Sequence, residues 1–344
     1  MTTLLEEEIR SQPEVLARLL EREASRASGI VAQLPPFDYV LIAARGTSDH
    51  AAAYAKYAWA AVAGYPVALA TPSLHTLYHT PPRMAGALVV GISQSGQSPD
   101  IVAVIEEGRR QGRPTLAITN DGASPLAAAA DHVIELHAGA ERSVAATKTY
   151  TAQLMVMALL AAAWSGQPER LAELRRLPAA LAATLAGASA LAARAERYRY
   201  MGECVVIGRG YHYPTAMELA LKLKELTYVM AQAYSSADFR HGPIATISEG
   251  LPAILIMPAG AAFADMLDLA QELTSRGAEL LIASDQPAAT ALATTVLPLA
   301  GPAAEWLSPI TAIVPGQLLA LYLTLAKGYD PDKPRGLHKV TRTL

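Results

Sequence analysis

The chain has 344 residues, a formal net charge of −3, and 52% hydrophobic against 17% charged residues. At about 150 residues per domain this is material for two apolar cores, and the lack of any Lys/Arg block argues against a nucleic acid as partner. The one cysteine, Cys204, sits in the apolar run Cys204-Val205-Val206-Ile207. It reads as a buried core residue, excluding a disulfide framework and suiting a reducing compartment.

Met1 to Glu8 is acidic and lacks an apolar core, so it does not read as a signal peptide; a helix over residues 1–28 is expected. Tyr39 to Ala43 is a short apolar run, and Asp49 to Ala63 is Ala-rich and helical in character. Ala87 to Ile92 is the next apolar run, followed by a helical stretch from Pro99 to Gln111 and then Thr115 to Ile118. This βαβαβ rhythm predicts a parallel sheet with helices on both faces. The longest apolar stretch, Leu154 to Trp164, is well short of the roughly 18 residues that suggest a membrane span. The expectation is a cytoplasmic protein with no membrane partner.

The second half repeats the first. Val205 to Ile207 precedes Arg209-Gly210 as Leu41 to Ala43 precedes Arg45-Gly46, and the glycines are 164 residues apart (210 minus 46). Gly96 and Gly260 keep the same offset, as do Asp121 and Asp285. Two copies of one α/β unit are expected, over 29–165 and 196–330, joined by a helical linker (166–195) and followed by a tail (331–344).

The copies differ in one loop. Copy one reads Ser93-Gln94-Ser95-Gly96-Gln97-Ser98 where copy two reads Met257-Pro258-Ala259-Gly260. In copy one, Pro99 fits the first helical position and Ser98 the N-cap. A helix N-terminus at the carboxyl end of a strand suits a phosphate, with hydroxyls and the Gln94 amide as extra donors. Arg45-Gly46-Thr47-Ser48 is a second strand-to-helix turn with hydroxyls. Neither a dinucleotide fingerprint nor a Gly-Lys-Ser/Thr loop is present.

Pro214 to Met230 reads as one helix. Glu218, Lys222 and Glu225 share a face, and Leu219, Leu223 and Leu226 share an apolar side with Met230. The charged face is either a solvated one with local ion pairs or the lining of a cleft, where a carboxylate moves a proton beside a lysine. His75 and His79 have i, i+4 spacing, but no further ligand cluster supports a metal. His241 lies beside the turn Gly242-Pro243, where loop chemistry often resides. The tail Pro334 to Thr341 is neither very polar nor repetitive, and Lys339 within it is a candidate Schiff-base or charge-stabilising lysine.

Taken in order, these motifs resemble the sugar isomerase (SIS) family. The likeness begins at Glu8-Ile9 and Gln12-Pro13 and runs through Gly46-Thr47-Ser48 and Ser93-Gln94-Ser95-Gly96. It continues through Glu141 with Val144-Ala145-Ala146-Thr147-Lys148, then Ala220-Leu221-Lys222-Leu223-Lys224-Glu225, His241-Gly242-Pro243, and Pro334-Arg335 with Lys339. It is nearest to the isomerase half of glucosamine-6-phosphate synthase and to the single-chain glucosamine-6-phosphate deaminases. The resemblance implies two tandem doubly wound, flavodoxin-like parallel-sheet domains. It implies phosphate binding by Ser93, Gln94, Ser95 and Ser98, and sugar contacts at Ser48 and Val144. Glu225 matches the base that shuttles a proton between C1 and C2, and Lys222 matches a supporting lysine. His241 matches a ring-opening histidine supplied by the neighbouring subunit, hence a homodimer with shared active sites. Lys339 matches the lysine that engages the open-chain sugar.

Ala146 stands where the synthase often has a serine, and His338 where it has a small residue. The ending Lys339-Val340-Thr341-Arg342-Thr343 looks more like the deaminases. With Met1 opening almost directly into the isomerase-like part, glutamine-driven synthesis by this chain alone is not expected. The expected reaction is conversion of glucosamine 6-phosphate to fructose 6-phosphate and ammonia, with no metal or redox cofactor. Deglycation of a fructosamine phosphate, action on galactosamine 6-phosphate, and a non-catalytic sugar-phosphate sensor are the alternatives.

Overall fold

Ten strands form in the computed structural model, which describes residues 2–301 and 303–339. Residues Val340 to Thr343 of the tail motif lie outside them. The first five strands are β1 (Tyr39–Ala43), β2 (Val67–Leu69), β3 (Ala87–Ser93), β4 (Thr115–Thr119) and β5 (His132–Glu135); they form an all-parallel sheet in the order β2-β1-β3-β4-β5. The second five are β6 (Glu203–Gly208), β7 (Met230–Ser235), β8 (Pro252–Ile256), β9 (Glu279–Ser284) and β10 (Thr295–Pro298). They form a second parallel sheet, β10-β9-β8-β6-β7. Read from their own first strands, both sheets have the flavodoxin-like order 2-1-3-4-5. The first strands of the two sheets start 164 residues apart (203 minus 39), as do β4 and β9 (279 minus 115), so the sequence repeat is a structural one. Every residue of β3 and of β4 is buried, as a parallel strand covered by helices on both faces requires.

The chain divides into two compact units, each assembled from more than one stretch. The first-sheet unit comprises residues 14–141 and 148–175 with the described tail residues 338–339. The second-sheet unit comprises residues 2–13, 142–147 and 176–337. In the first-sheet unit, helices Thr47–Ala63 and Lys148–Ser165 pack closely through small residues, and Trp59 donates its indole N–H to the Met157 carbonyl at 2.8 Å. Residues Lys148 to Ala162 are all buried, which accounts for the apolar run there.

The second-sheet unit centres on two packed helices, Tyr213–Thr227 and Ser308–Ala326. The latter is a longer uncharged helix than the 154–164 run singled out above. It is long and apolar enough to cross a membrane by length and composition, and 83% of its apolar window is buried inside the fold. Its interior Pro315 and polar Ser308, Thr311 and Gln317 disguise it in the sequence. The expected linker helix is three helices, Pro168–Leu174, Leu177–Gly187 and Leu191–Ala195; the latter two pack on Ser308–Ala326.

The helix expected over Pro214 to Met230 ends at Thr227. Tyr228 adopts the left-handed region (φ 59°), and Met230 opens β7, 65% exposed, instead of extending the leucine face. A left-handed residue terminates a helix by turning its last amides back on themselves, and nothing in the apolar spacing foretells that with a tyrosine. Gly316 lets the two central helices approach, since a Cβ there would lie 2.9 Å from the methyls of Leu219. Gly316→Val is therefore expected to destabilise the protein by about 2 kcal/mol through overpacking. That is a fall of roughly 6 °C in the calorimetric midpoint; an unchanged midpoint would show that this approach is not tight.

Candidate active site

The hydroxyl loop of the first-sheet unit is a strand-to-helix turn, as the sequence suggests. Ser93 ends β3, Ser98 occupies the N-cap of helix Pro99–Arg110, and Pro99 is its first residue. Gly96 has φ 63°, and a Cβ there would stand 2.1 Å from Ser124 Oγ, so only glycine closes this turn. The Ser93 hydroxyl accepts from the Gly96 amide (3.1 Å) and lies 3.5 Å from Ser98 Oγ, and Ser95 Oγ accepts from the Gln97 amide at 3.3 Å. The Gln94 carbonyl is anchored by the Asn120 amide at 3.1 Å. The capping expectation for Ser98 is corrected: its residue sits at the cap, but its side chain makes no cap hydrogen bond. The turn thus gathers three serine hydroxyls and leaves the Ser98 hydroxyl uncommitted to the helix it precedes.

Asp100, fully buried in that helix's first turn, is paired with Arg45 at 2.8 Å, and its other oxygen accepts from the Ile101 amide at 3.0 Å. Ser48 is buried in the first turn of helix Thr47–Ala63, where its hydroxyl accepts from the Gln153 side chain at 2.9 Å.

The corresponding loop of the second-sheet unit is filled from inside. The Ala259 amide donates to Asp285 and the Ala261 amide to Glu305, each at 2.9 Å, and a Cβ on Gly260 would collide with the Glu305 carboxyl group. Carboxylates of the protein itself thus take up the loop amides of copy two.

The charged face of helix Tyr213–Thr227 is not solvated. Lys222 is 1% exposed and lies 3.3 Å from Glu218 and 2.5 Å from Glu225; Glu218 is 0% and Glu225 23% exposed. Burial lowers the Lys222 pKa, but the two carboxylates outweigh it and the net shift is upward, so the ammonium stays charged. The arrangement is a fixed cation holding one inaccessible carboxylate and one that still reaches solvent. Such a pair suits proton transfer at a carbon whose neighbouring oxygen or nitrogen gains negative charge. At the entrance to this helix, His212 is buried and its Nε2 lies 2.7 Å from Ser308 Oγ.

The remaining expected residues fall in separate places. Val144 is half-buried in the second-sheet unit, on the segment Arg142–Thr147. His241 is exposed at the end of the short helix Ser236–Arg240. Lys339, in the first-sheet unit, binds Glu141 at 2.7 Å; that carboxylate also accepts from the Thr149 amide (3.1 Å) and hydroxyl (2.7 Å) at the start of helix Lys148–Ser165. His79 lies outside the short helix Ser73–Thr76 with φ 52°, so the His75/His79 spacing is not a helical one.

In the sequence Glu8 stands out only as part of the Glu8-Ile9 motif, with no role of its own. It lies in an acidic run, yet it is buried with Leu5 and Ile9 on one face of helix Leu4–Arg10. The signal was available: Leu5 and Ile9 at i, i+4 put Glu8 on the buried side.

The family model of the SIS domain matches the chain twice, over residues 38–163 and 202–327. A glutamine–fructose-6-phosphate aminotransferase (isomerizing) from Zymomonas mobilis is 36% identical over 97% of this chain and 58% of its own length. The chain thus spans under two thirds of that curated relative. Among solved structures, the C-terminal domain of glucosamine-fructose-6-phosphate aminotransferase from Francisella tularensis superposes with a TM-score of 0.89 at 27% identity, covering 97% of this chain and 99% of that one. A Silicibacter pomeroyi protein, named provisionally as a phosphosugar isomerase, superposes at 0.85 with 33% identity, covering 96% and 100%.

His212 offers a pH test of this helix entrance. Burial pushes its pKa down to about 4 from 6.5, partly offset by Asp285. Between those values the unfolded chain takes up a proton that the folded one refuses, so stability falls as pH drops through the window. The expected loss is about 3 kcal/mol between pH 7 and pH 4, read by urea denaturation. His212→Gln should remove that part of the slope; an unchanged slope would assign it to other groups.

Proposed function

The chain belongs to the SIS domain family, and from that premise we propose that it is a sugar-phosphate isomerase that deaminates glucosamine 6-phosphate to fructose 6-phosphate and ammonia. The observation that carries the reading is the buried Lys222 between Glu218 and Glu225, with Glu225 alone of the three partly open to solvent. The names of the relatives support the carbon skeleton, since both aminotransferases act on fructose 6-phosphate by name.

In this reading the phosphate is held by Ser93, Gln94, Ser95 and Ser98 at the N-terminus of helix Pro99–Arg110, with Ser48 and Val144 on the sugar. His241, contributed by a second copy in a homodimer, opens the ring. Glu225 removes the C2 proton of the open-chain aldehyde, while charge developing on the adjacent oxygen is met by Lys222 or Lys339. Return of that proton to C1 leaves an imine at C2. Water adds to that carbon, the C–N bond breaks, and ammonia leaves with fructose 6-phosphate as the product. The reaction consumes one water and needs no redox partner, and the compartment that fits it is the cytoplasm.

Purified protein is expected to release ammonia from glucosamine 6-phosphate and none from glucosamine. Glu225→Gln should lower turnover by about 10²–10⁴-fold, the usual contribution of a positioned acid–base group, with sugar-phosphate affinity kept. Full turnover in that variant would remove Glu225 from the mechanism, and silence of the parent protein would remove the substrate.

A further inference from the structure

One buried carboxylate outside the groups assigned above holds a segment that the proposed reaction uses. Glu8 is 6% exposed. One of its oxygens accepts the Arg142 amide, and the other accepts the Ser143 amide at 3.2 Å and the Ser143 hydroxyl. The Ser143 hydroxyl also reaches the Ala145 carbonyl at 3.2 Å, on the far side of Val144. The opposite end of the segment is held too. Gln317, buried in helix Ser308–Ala326, donates to the Thr147 carbonyl at 3.4 Å and accepts from the Gln12 side chain at 2.8 Å.

The element carrying Glu8 is itself fixed. The Leu4 and Leu5 amides at the start of helix Leu4–Arg10 donate to the two oxygens of Asp332, each at 2.9 Å, and Thr3 caps the Glu6 amide. A free helix of seven residues would not hold its shape in water. Here its first amides are bound to the C-terminal stretch, and its buried face presents Glu8 to the segment.

We propose that Glu8 is a positioning residue that sets the backbone of Arg142–Thr147, and with it Val144, for the sugar, and that Asp332 fixes the helix from which Glu8 acts. This rests on the reading of Val144 as a sugar contact. A carboxylate is required because three donors converge on it and it offers only acceptors. A glutamine in its place would turn an N–H donor toward donors.

The test is amide hydrogen exchange on the full chain, together with steady-state kinetics on glucosamine 6-phosphate. In Glu8→Gln the Arg142 and Ser143 amides are expected to exchange at least about tenfold faster. KM should rise about tenfold with kcat within about threefold, the pattern of lost uniform binding. Asp332→Asn should speed exchange at the same amides to a smaller degree. Should Glu8→Gln fail to fold, Ser143→Ala carries the comparison, with the same direction and smaller size. Parent-like exchange at these amides in the folded variants overturns the clamp. Faster exchange with an unchanged KM overturns its role in positioning the sugar. Absence of turnover in the parent overturns only the substrate reading, and the exchange comparison then decides the clamp by itself.

Discussion

Taking the Lys222 ammonium out of water costs several kcal/mol unless carboxylates meet it at close range, and the second-sheet unit is arranged so that two do. They come from the same helix, one turn before and one turn after, so their placement depends on that helix keeping its pitch to the last turn. Leu219, Leu223 and Leu226 bury its other side, and Gly316 lets the neighbouring helix close on Leu219. The end is stopped by Tyr228, whose ring lies 3.9 Å under the Arg335 guanidinium and whose hydroxyl accepts the Arg335 amide at 2.8 Å. The C-terminal stretch therefore braces the turn that ends the charged helix. The two carboxylates also differ: Glu218 is inaccessible beside the buried charge and Glu225 is partly open, which suits Glu225 to the proton transfer proposed for it.

Duplication supplied two equivalent strand-to-helix turns that differ in how their loop amides are satisfied. Both keep glycine. In the second, Asp285 and Glu305 already receive the loop amides, so the anionic partner such a turn favours is built in and permanent. In the first, the amides are met by serine hydroxyls, which can donate onward to a phosphate as a carboxylate cannot. On the proposed reading, that difference gives one phosphate position per chain.

The parallel sheets and their repeat were legible because strands buried on both faces must be continuous apolar runs, and a duplicated fold repeats them at a fixed offset. The Glu218, Lys222, Glu225 spacing was legible as a shared face, but not its burial, since ion pairs on a solvated helix have the same spacing. Apolar periodicity carried the helix too far, to Met230, because the left-handed turn at Tyr228 is imposed by the packing of Tyr329 and Arg335 and not by a glycine. Helix Ser308–Ala326 was hidden by its proline and its buried polar residues. The burial of Glu8 was hidden by Glu6 and Glu7; only its register relative to Leu5 and Ile9 separates it from them. In each case the missing information is which side of an element another element covers.

On the proposed reading, a protein of net charge −3 has to keep its own carboxylates from repelling a phosphorylated sugar, and several of them are buried and held by donors. Asp100, the acidic group nearest in sequence to the hydroxyl loop, is buried and neutralised by Arg45. Glu141 is paired with Lys339 and accepts from a helix N-terminus, Asp332 accepts from two amides, and Glu8 from two amides and a hydroxyl. These carboxylates serve as internal fasteners, each saturated by donors from the backbone or a cation, so each adds rigidity while presenting little negative charge outward. Binding of a dianion then needs no cluster of lysines. In the proposed function a helix N-terminus and three hydroxyls would meet the phosphate once the nearby acids are occupied, with no basic residue in the turn.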